Sequence, residues 1–149
     1  MNFHFSGAPE VAAPLSRVWL HLMDPQTVGN AGPGVQRVKV IDPHHFEVIT
    51  GFKLAGFKLE IIMKVELADV VPERQLRMIA RGKARGSAIH VLSLINLKSL
   101  GENTTLLQWD ATTEMSGIVA AVGGSRLEGL ARDLTQRFWD RFIATVEKA

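Results

Sequence analysis

From Val35 to Met115, apolar and polar residues largely alternate one by one, and a period of two confines this part of the chain to strands. The clearest run sets Phe57, Leu59, Ile61, Met63, Val65 and Leu67 against Lys58, Glu60, Lys64 and Glu66. Turn signals punctuate it at Asp42-Pro43, Ala55-Gly56, Val71-Pro72-Glu73-Arg74 and Gly101-Glu102-Asn103. Phe3 and Phe5 alternate with Asn2, His4 and Ser6 in the same way, so seven strands are expected. Short turns between strands in chain order imply an antiparallel meander. Each strand has one apolar and one polar face, so the sheet needs a cover on one side only.

The cover is legible at the other end of the chain. Leu127, Leu130, Ala131, Leu134, Phe138, Phe142 and Val146 recur at steps of three and four, with Arg and Asp residues filling much of the rest. That is one amphipathic helix, roughly 34 Å long at ~1.5 Å per residue. Ser125 and Glu128 have capping-box spacing at its start. Its stripe is compatible with an ordinary core helix and with the lid of a cavity.

Between the first strand and the meander, Ala13-Pro14 opens a helix on which Leu15, Val18, Trp19, Leu22 and Met23 fall at helical spacing. Asp24-Pro25 ends it, because the residue before a proline is driven out of the α region. A short helical turn is expected next, and the segment from Gly29 to Gly34, with three glycines and Pro33, is expected to be irregular. The order is α+β: a curved sheet wrapped around a final helix. The concave space between them is expected to be lined by Trp19, Phe46, Leu59, Ile61, Met63, Met78, Trp109, Met115 and Phe138, with Leu127, Leu130 and Leu134 from the helix.

A chain of 149 residues is expected to form a single domain over residues 1–149. It contains no cysteine, which excludes disulfides and thiolate chemistry and fits a reducing cytoplasm. A net charge of +2 gives no support for nucleic-acid binding. No secretory signal and no apolar run of ~18 residues is visible.

Chemistry-bearing clusters are not found. His44 and His45 are adjacent and would point to opposite faces of a strand, and His4, His21 and His90 fall on separate elements, so no metal site is expected. Gly-Gly-Ser-Arg-Leu at 123–127 is not a nucleophile elbow, and no catalytic residue is expected.

The run from Pro14 to Pro25, with Val18-Trp19 and Asp24-Pro25, resembles the first helix of the SRPBCC or START-like helix-grip domains. The Pro33-Gly34-Val35 turn and the segment Gly123-Gly124-Ser125-Arg126-Leu127 through Phe138 resemble more narrowly the CoxG family of carbon monoxide dehydrogenase subunits. The resemblance covers nearly the whole chain. It implies a helix-grip fold of START or Bet v 1 type, with two short helices after the first strand and seven strands gripping the C-terminal helix. It also implies binding of a hydrophobic small molecule, a quinone or another lipid-like ligand, without catalysis and without a cofactor. The implied setting is an accessory or docking role to a carbon monoxide dehydrogenase or related molybdenum hydroxylase, in the cytoplasm or peripheral at the inner membrane face; a cyclase or hydrolase is the alternative within the superfamily. Many relatives carry a tail with an apolar anchor after this helix; the sequence ends at Ala149, so anchoring is not carried over. Gly32 stands where relatives have leucine or isoleucine, so a looser turn or thinner pocket wall is expected.

Two surface features complete the expectations. Arg77, Arg81, Lys83 and Arg85 form a basic row, read as a solvated face paired with Glu60 and Glu66 or as a docking site for an acidic partner or anionic lipid. His90, Leu92 and Leu94, with Ile62, Ile79 and Leu106, share the outward phase as an apolar patch, the expected face of a homodimer or of partner docking.

Overall fold

A computed structural model of the chain describes all residues except Ala55 and Arg85, together with all side chains within its helices and strands except those of Phe52, Leu54, Phe57, Leu59 and Val122. Strands β1 (Asn2–Gly7) and β2 (Glu10–Val11) come first, followed by helices α1 (Leu15–Leu22) and α2 (Pro25–Ala31). The meander follows as β3 (Val35–Asp42), β4 (His45–Leu54), β5 (Phe57–Val71), β6 (Gln75–Ala84), β7 (Ser87–Gly101) and β8 (Thr104–Gly117). A short helix α3 (Ile118–Gly123) leads into the long α4 (Arg126–Lys148).

All strands join one antiparallel sheet in the order β1-β8-β7-β6-β5-β4-β3, and β2 also pairs with β8. The meander is the one that the alternation predicts. The edge is different: the chain begins and the sheet ends on the same pair, β1 against β8. β2 is an eighth strand not expected from the sequence. It continues β1 along β8 after an interruption at Ala8-Pro9, where Pro9 has no N–H for the ladder but accepts from Leu107 N at 2.9 Å.

The turn expected after Asp24-Pro25 is a seven-residue helix. Asp24 caps it, its carboxylate accepting from Gln26 N at 3.1 Å and from Thr27 Oγ1 at 2.7 Å, and Pro25 occupies the first turn. Helix α2 includes Gly29, which was expected to lie in an irregular segment. A Cβ at Gly29 would come within 2.7 Å of Val38 Cγ2, so glycine here lets the helix sit close on β3. The turn after it is tight rather than loose. Gly51 N donates to Gly34 O at 2.9 Å, and Gly34 holds a φ of +69°, which glycine adopts readily.

The start of the final helix also differs from expectation. Ser125 is itself helical and makes no side-chain cap, so there is no capping box. The break between α3 and α4 falls on Gly124, at φ +53°. The cap that does form is remote: Ser87 Oγ on β7 accepts from Val119 N at 2.8 Å, inside α3.

Helix α4 crosses the concave face of the curved sheet. Toward its C-terminus the two layers meet fully. Val11, Val18, Leu22, Leu107, Phe142 and Val146 are all 0% exposed there, and Thr105 Oγ1 donates to Ala13 O at 2.8 Å. Ala12 N donates to Glu147 Oε2 at 2.8 Å and Arg17 Nη1 to Ala149 O at 2.7 Å, tying that end of α4 to the N-terminal elements. Toward its N-terminus the layers part.

Candidate functional site

Where the layers part, a cavity of about 240 Å³ lies between the sheet, α2 and the first half of α4. Its volume has a local origin. The concave face carries Ala80, Ser93, Ala111 and Thr113 there, short side chains that stop well below the helix. Met63 bends toward the gap left by Gly82, whose absent Cβ would collide with the methionine sulfur. Phe46, Val48, Ile61 and Val65 form one wall, Ile89, Val91 and Met115 another, and Val28, Gly29, Gly32 and Pro33 a third. The roof is Ala131, Leu134, Thr135, Phe138 and Trp139 of α4. Among the described residues the lining has no charged side chain and no histidine.

Of the residues expected to face this space, Phe46, Ile61, Met63, Met78, Met115, Leu134 and Phe138 line it. Leu59 lies outside the described side chains. Four others belong elsewhere in the fold. Trp109 is turned to the sheet edge, its indole lying over Gly7, where a Cβ would come within 2.6 Å of Nε1. Trp19 sits on α1 and packs half-buried against the filled end of the core. Leu127 is fully buried against Gly123 at the α3–α4 junction, and Leu130 packs partly buried beside it on the helix. Helical spacing identifies the face of a residue, and this face is longer than the cavity beneath it.

The residue that closes the cavity is Trp139, which was not among the expected lining residues. It is 2% exposed, stacks on Trp109 at 5.7 Å between ring centres, and meets Phe138 and Phe142 edge-on at 4.9 and 5.8 Å. It divides the hollow end from the filled end. The signal was present: Ala131, Thr135, Trp139, Phe142 and Val146 follow one another at steps of four, four, three and four. The wall from α2 was missed because its glycines and proline signalled only a turn.

Titratable groups gather outside the cavity. At the β3–β4 turn, the His45 ring contacts Asp42 at 2.9 Å and Glu66 at 3.4 Å. The hydrogen bond to Asp42 raises the His45 pKa above its ordinary value, with Glu66 adding to it. The same bond, with the His44 N–H, holds the Asp42 carboxyl below the usual range. No cluster of metal-ligating side chains forms among the described residues. Among the described residues no helix is long and apolar enough to cross a membrane.

The basic row is paired differently from expectation. Arg77 reaches Asp69 at 3.2 Å, Arg81 lies opposite Lys64, and Lys83 opposite Ile62, while Glu66 is engaged with His45. The register sets these partners, and Arg85 lies outside the described residues. The outward apolar patch is smaller than the phase alone implies. Ile79 lies directly across from Leu92, with Leu94 beside them, whereas Ile62 and Leu106 stand further away on opposite sides.

A family model described as CoxG, a carbon monoxide dehydrogenase subunit, matches residues 7–146. A comparison with curated protein sequences finds no match. Among solved structures, a conserved protein from Geobacillus kaustophilus superposes with a TM-score of 0.85 at 22% identity, covering 99% of this chain and 96% of that one. A START superfamily protein from Mycobacterium smegmatis follows at 0.74 and 16% identity, covering 97% of each chain. The Zhui aromatase/cyclase from Streptomyces sp. R1128 gives 0.69 and 16%, covering 99% and 95%. At these identities the structures establish the helix-grip fold.

Proposed function

We propose, from the premise that this chain belongs to the CoxG family of carbon monoxide dehydrogenase subunits, that it binds and carries a hydrophobic small molecule beneath α4 without chemically changing it. The ligand we assign is a quinone or another lipid-like molecule. The role is accessory to a carbon monoxide dehydrogenase-type molybdenum hydroxylase, in the cytoplasm or at the inner face of the membrane.

The observation that carries the reading is the cavity itself, about 240 Å³ and lined almost wholly by apolar side chains in an otherwise close-packed core. An engineered apolar cavity of ~150 Å³ already accepts benzene, so this one has room for a larger ring system or part of a chain. Met63, Met78 and Met115 on its walls adapt to irregular shapes. A cyclase reading, raised by one structural neighbour, calls for convergent acid and base groups at the reacting atoms. The described lining offers hydroxyls and the Trp139 indole, with no carboxyl, imidazole or amine.

The experiment is mass spectrometry of organic extracts from protein purified from its native host, together with thermal melts on adding quinones. A co-purified apolar molecule and a raised melting temperature are expected. Empty extracts and unmoved melts would remove the carrier role and leave a docking module. The Ile79–Leu92–Leu94 patch, with Leu94 38% exposed, supports a separate proposal: self-association through the outer sheet face.

A further inference from the structure

Four hydroxyls line the cavity: Thr50 is half-buried on the β4 wall and Thr135 half-buried in the roof, while Ser93 and Thr113 interrupt the apolar floor. Ser93 is 8% exposed and Thr113 3%, and both line the cavity. Ser93 lies opposite Ala111 and Thr113 opposite Val91, which makes them diagonal neighbours on β7 and β8, ~7–8 Å apart. That is too far for them to bond each other.

Their situation differs from that of the other hydroxyls in the core. Thr135 Oγ1 donates to Ala131 O at 2.7 Å, the bond that a helix offers to its own threonines. Thr105 and Ser87 are bonded to Ala13 O and Val119 N. On a strand the side chain does not lie over a carbonyl four residues back, so Ser93 and Thr113 are not served by their own element. Among the described residues neither Ser93 Oγ nor Thr113 Oγ1 has a hydrogen-bond partner, yet the one sealed side-chain polar atom without a partner is Arg17 Nε. The two oxygens therefore border open space. Both residues are more than nine-tenths buried, so that space is the cavity. Ala111, 1% exposed and beside both, leaves the approach to them clear.

We infer that Ser93 and Thr113 form a polar anchor that selects neutral ligands carrying a carbonyl or hydroxyl oxygen on an apolar body. This rests on the carrier reading above. A hydroxyl can donate to a ligand carbonyl or accept from a ligand hydroxyl, so either oxygen is served. A hydrocarbon of the same shape would strip the two hydroxyls of water and return nothing. A carboxylate would enter without a cation to meet it, because the described lining holds none, and would be rejected more strongly still. One well-made neutral hydrogen bond corresponds to about three- to tenfold in affinity.

The test uses three ligands that share one ring system: 2-acetylnaphthalene, 2-ethylnaphthalene and 2-naphthoate. Each is titrated calorimetrically into the full chain and into Ser93→Ala, Thr113→Val and the double variant. The wild type should bind the ketone about tenfold more tightly than the hydrocarbon, and the naphthoate least. In the double variant that ratio should fall to about one, through loss of ketone affinity while hydrocarbon binding persists and shows that the variant is folded. Should the double variant not fold, each single variant should show a ratio lowered part of the way from the wild-type value. Equal binding of ketone and hydrocarbon by the wild type would overturn the anchor and leave the carrier reading standing. So would a ketone preference that survives both substitutions. If no naphthalene binds at all, the anchor falls, and the carrier reading is decided by the extracts and the quinone melts.

Discussion

Substituting Ala111→Leu asks directly whether the space under α4 is empty. Ala111 is 1% exposed, lies on the floor of the cavity, and is surrounded by Ser93, Thr113 and the helix roof. Leucine adds three carbons to a cavity of about 240 Å³. At ~0.8 kcal/mol per buried carbon this contributes about 2.4 kcal/mol, from which ~0.5–1 kcal/mol of lost side-chain freedom is subtracted. A gain of about 1.5 kcal/mol is expected, worth roughly 3–6 °C in melting temperature for a chain of this size. The same change at Ala13 is the comparison, because Ala13 is 0% exposed in the filled end of the core. There the added carbons have nowhere to go, and overpacking should cost ~1–3 kcal/mol. Chemical denaturation with two-state analysis gives both values, and ligand titration should show weaker binding by Ala111→Leu. If Ala111→Leu is destabilised as much as Ala13→Leu, the layers meet at both ends and there is no hollow to fill.

Three further outcomes follow from particular contacts. Asp24→Ala removes both cap bonds of α2 and should cost ~1 kcal/mol, read from the urea midpoint; an unchanged midpoint would mean that the helix is held by packing alone. His45 should titrate above 6.5 by NMR, and Asp42→Asn should bring it back down; a titration unmoved by that change would show that the contact is not formed. Because the His45 pKa is raised on folding, its stabilising contribution is complete below 6.5 and lost as pH rises through the folded value. Asp42 runs the other way, contributing above 3.8 and losing the contribution as pH falls through its lowered value, so the pair acts most between 3.8 and 6.5. Wild-type protein should self-associate at high concentration by light scattering and Leu92→Glu should not, whereas a wild type that stays monomeric would refute the outer-face proposal.

The elements and their buried faces were legible because they follow from backbone geometry that acts over a few residues. Alternation along Phe57 to Leu67 can satisfy only a strand with one apolar side, and steps of three and four from Leu127 to Val146 only a helix with one apolar stripe. Hence the meander, the long closing helix and much of the cavity lining were readable in advance. Pairings between distant segments were not. Nothing in Phe3 or Phe5 names β8 as their partner, and the glycines at 123 and 124 hide a short helix whose cap comes from Ser87, far back on β7. The hollow is the plainest case. A hydrophobic face shows that a side chain leaves water, but not whether it meets another on the far side. That depends on the separation of two layers set against the short reach of Ala80, Ser93, Ala111 and Thr113, a balance struck only when the sheet curves and α4 lies across it.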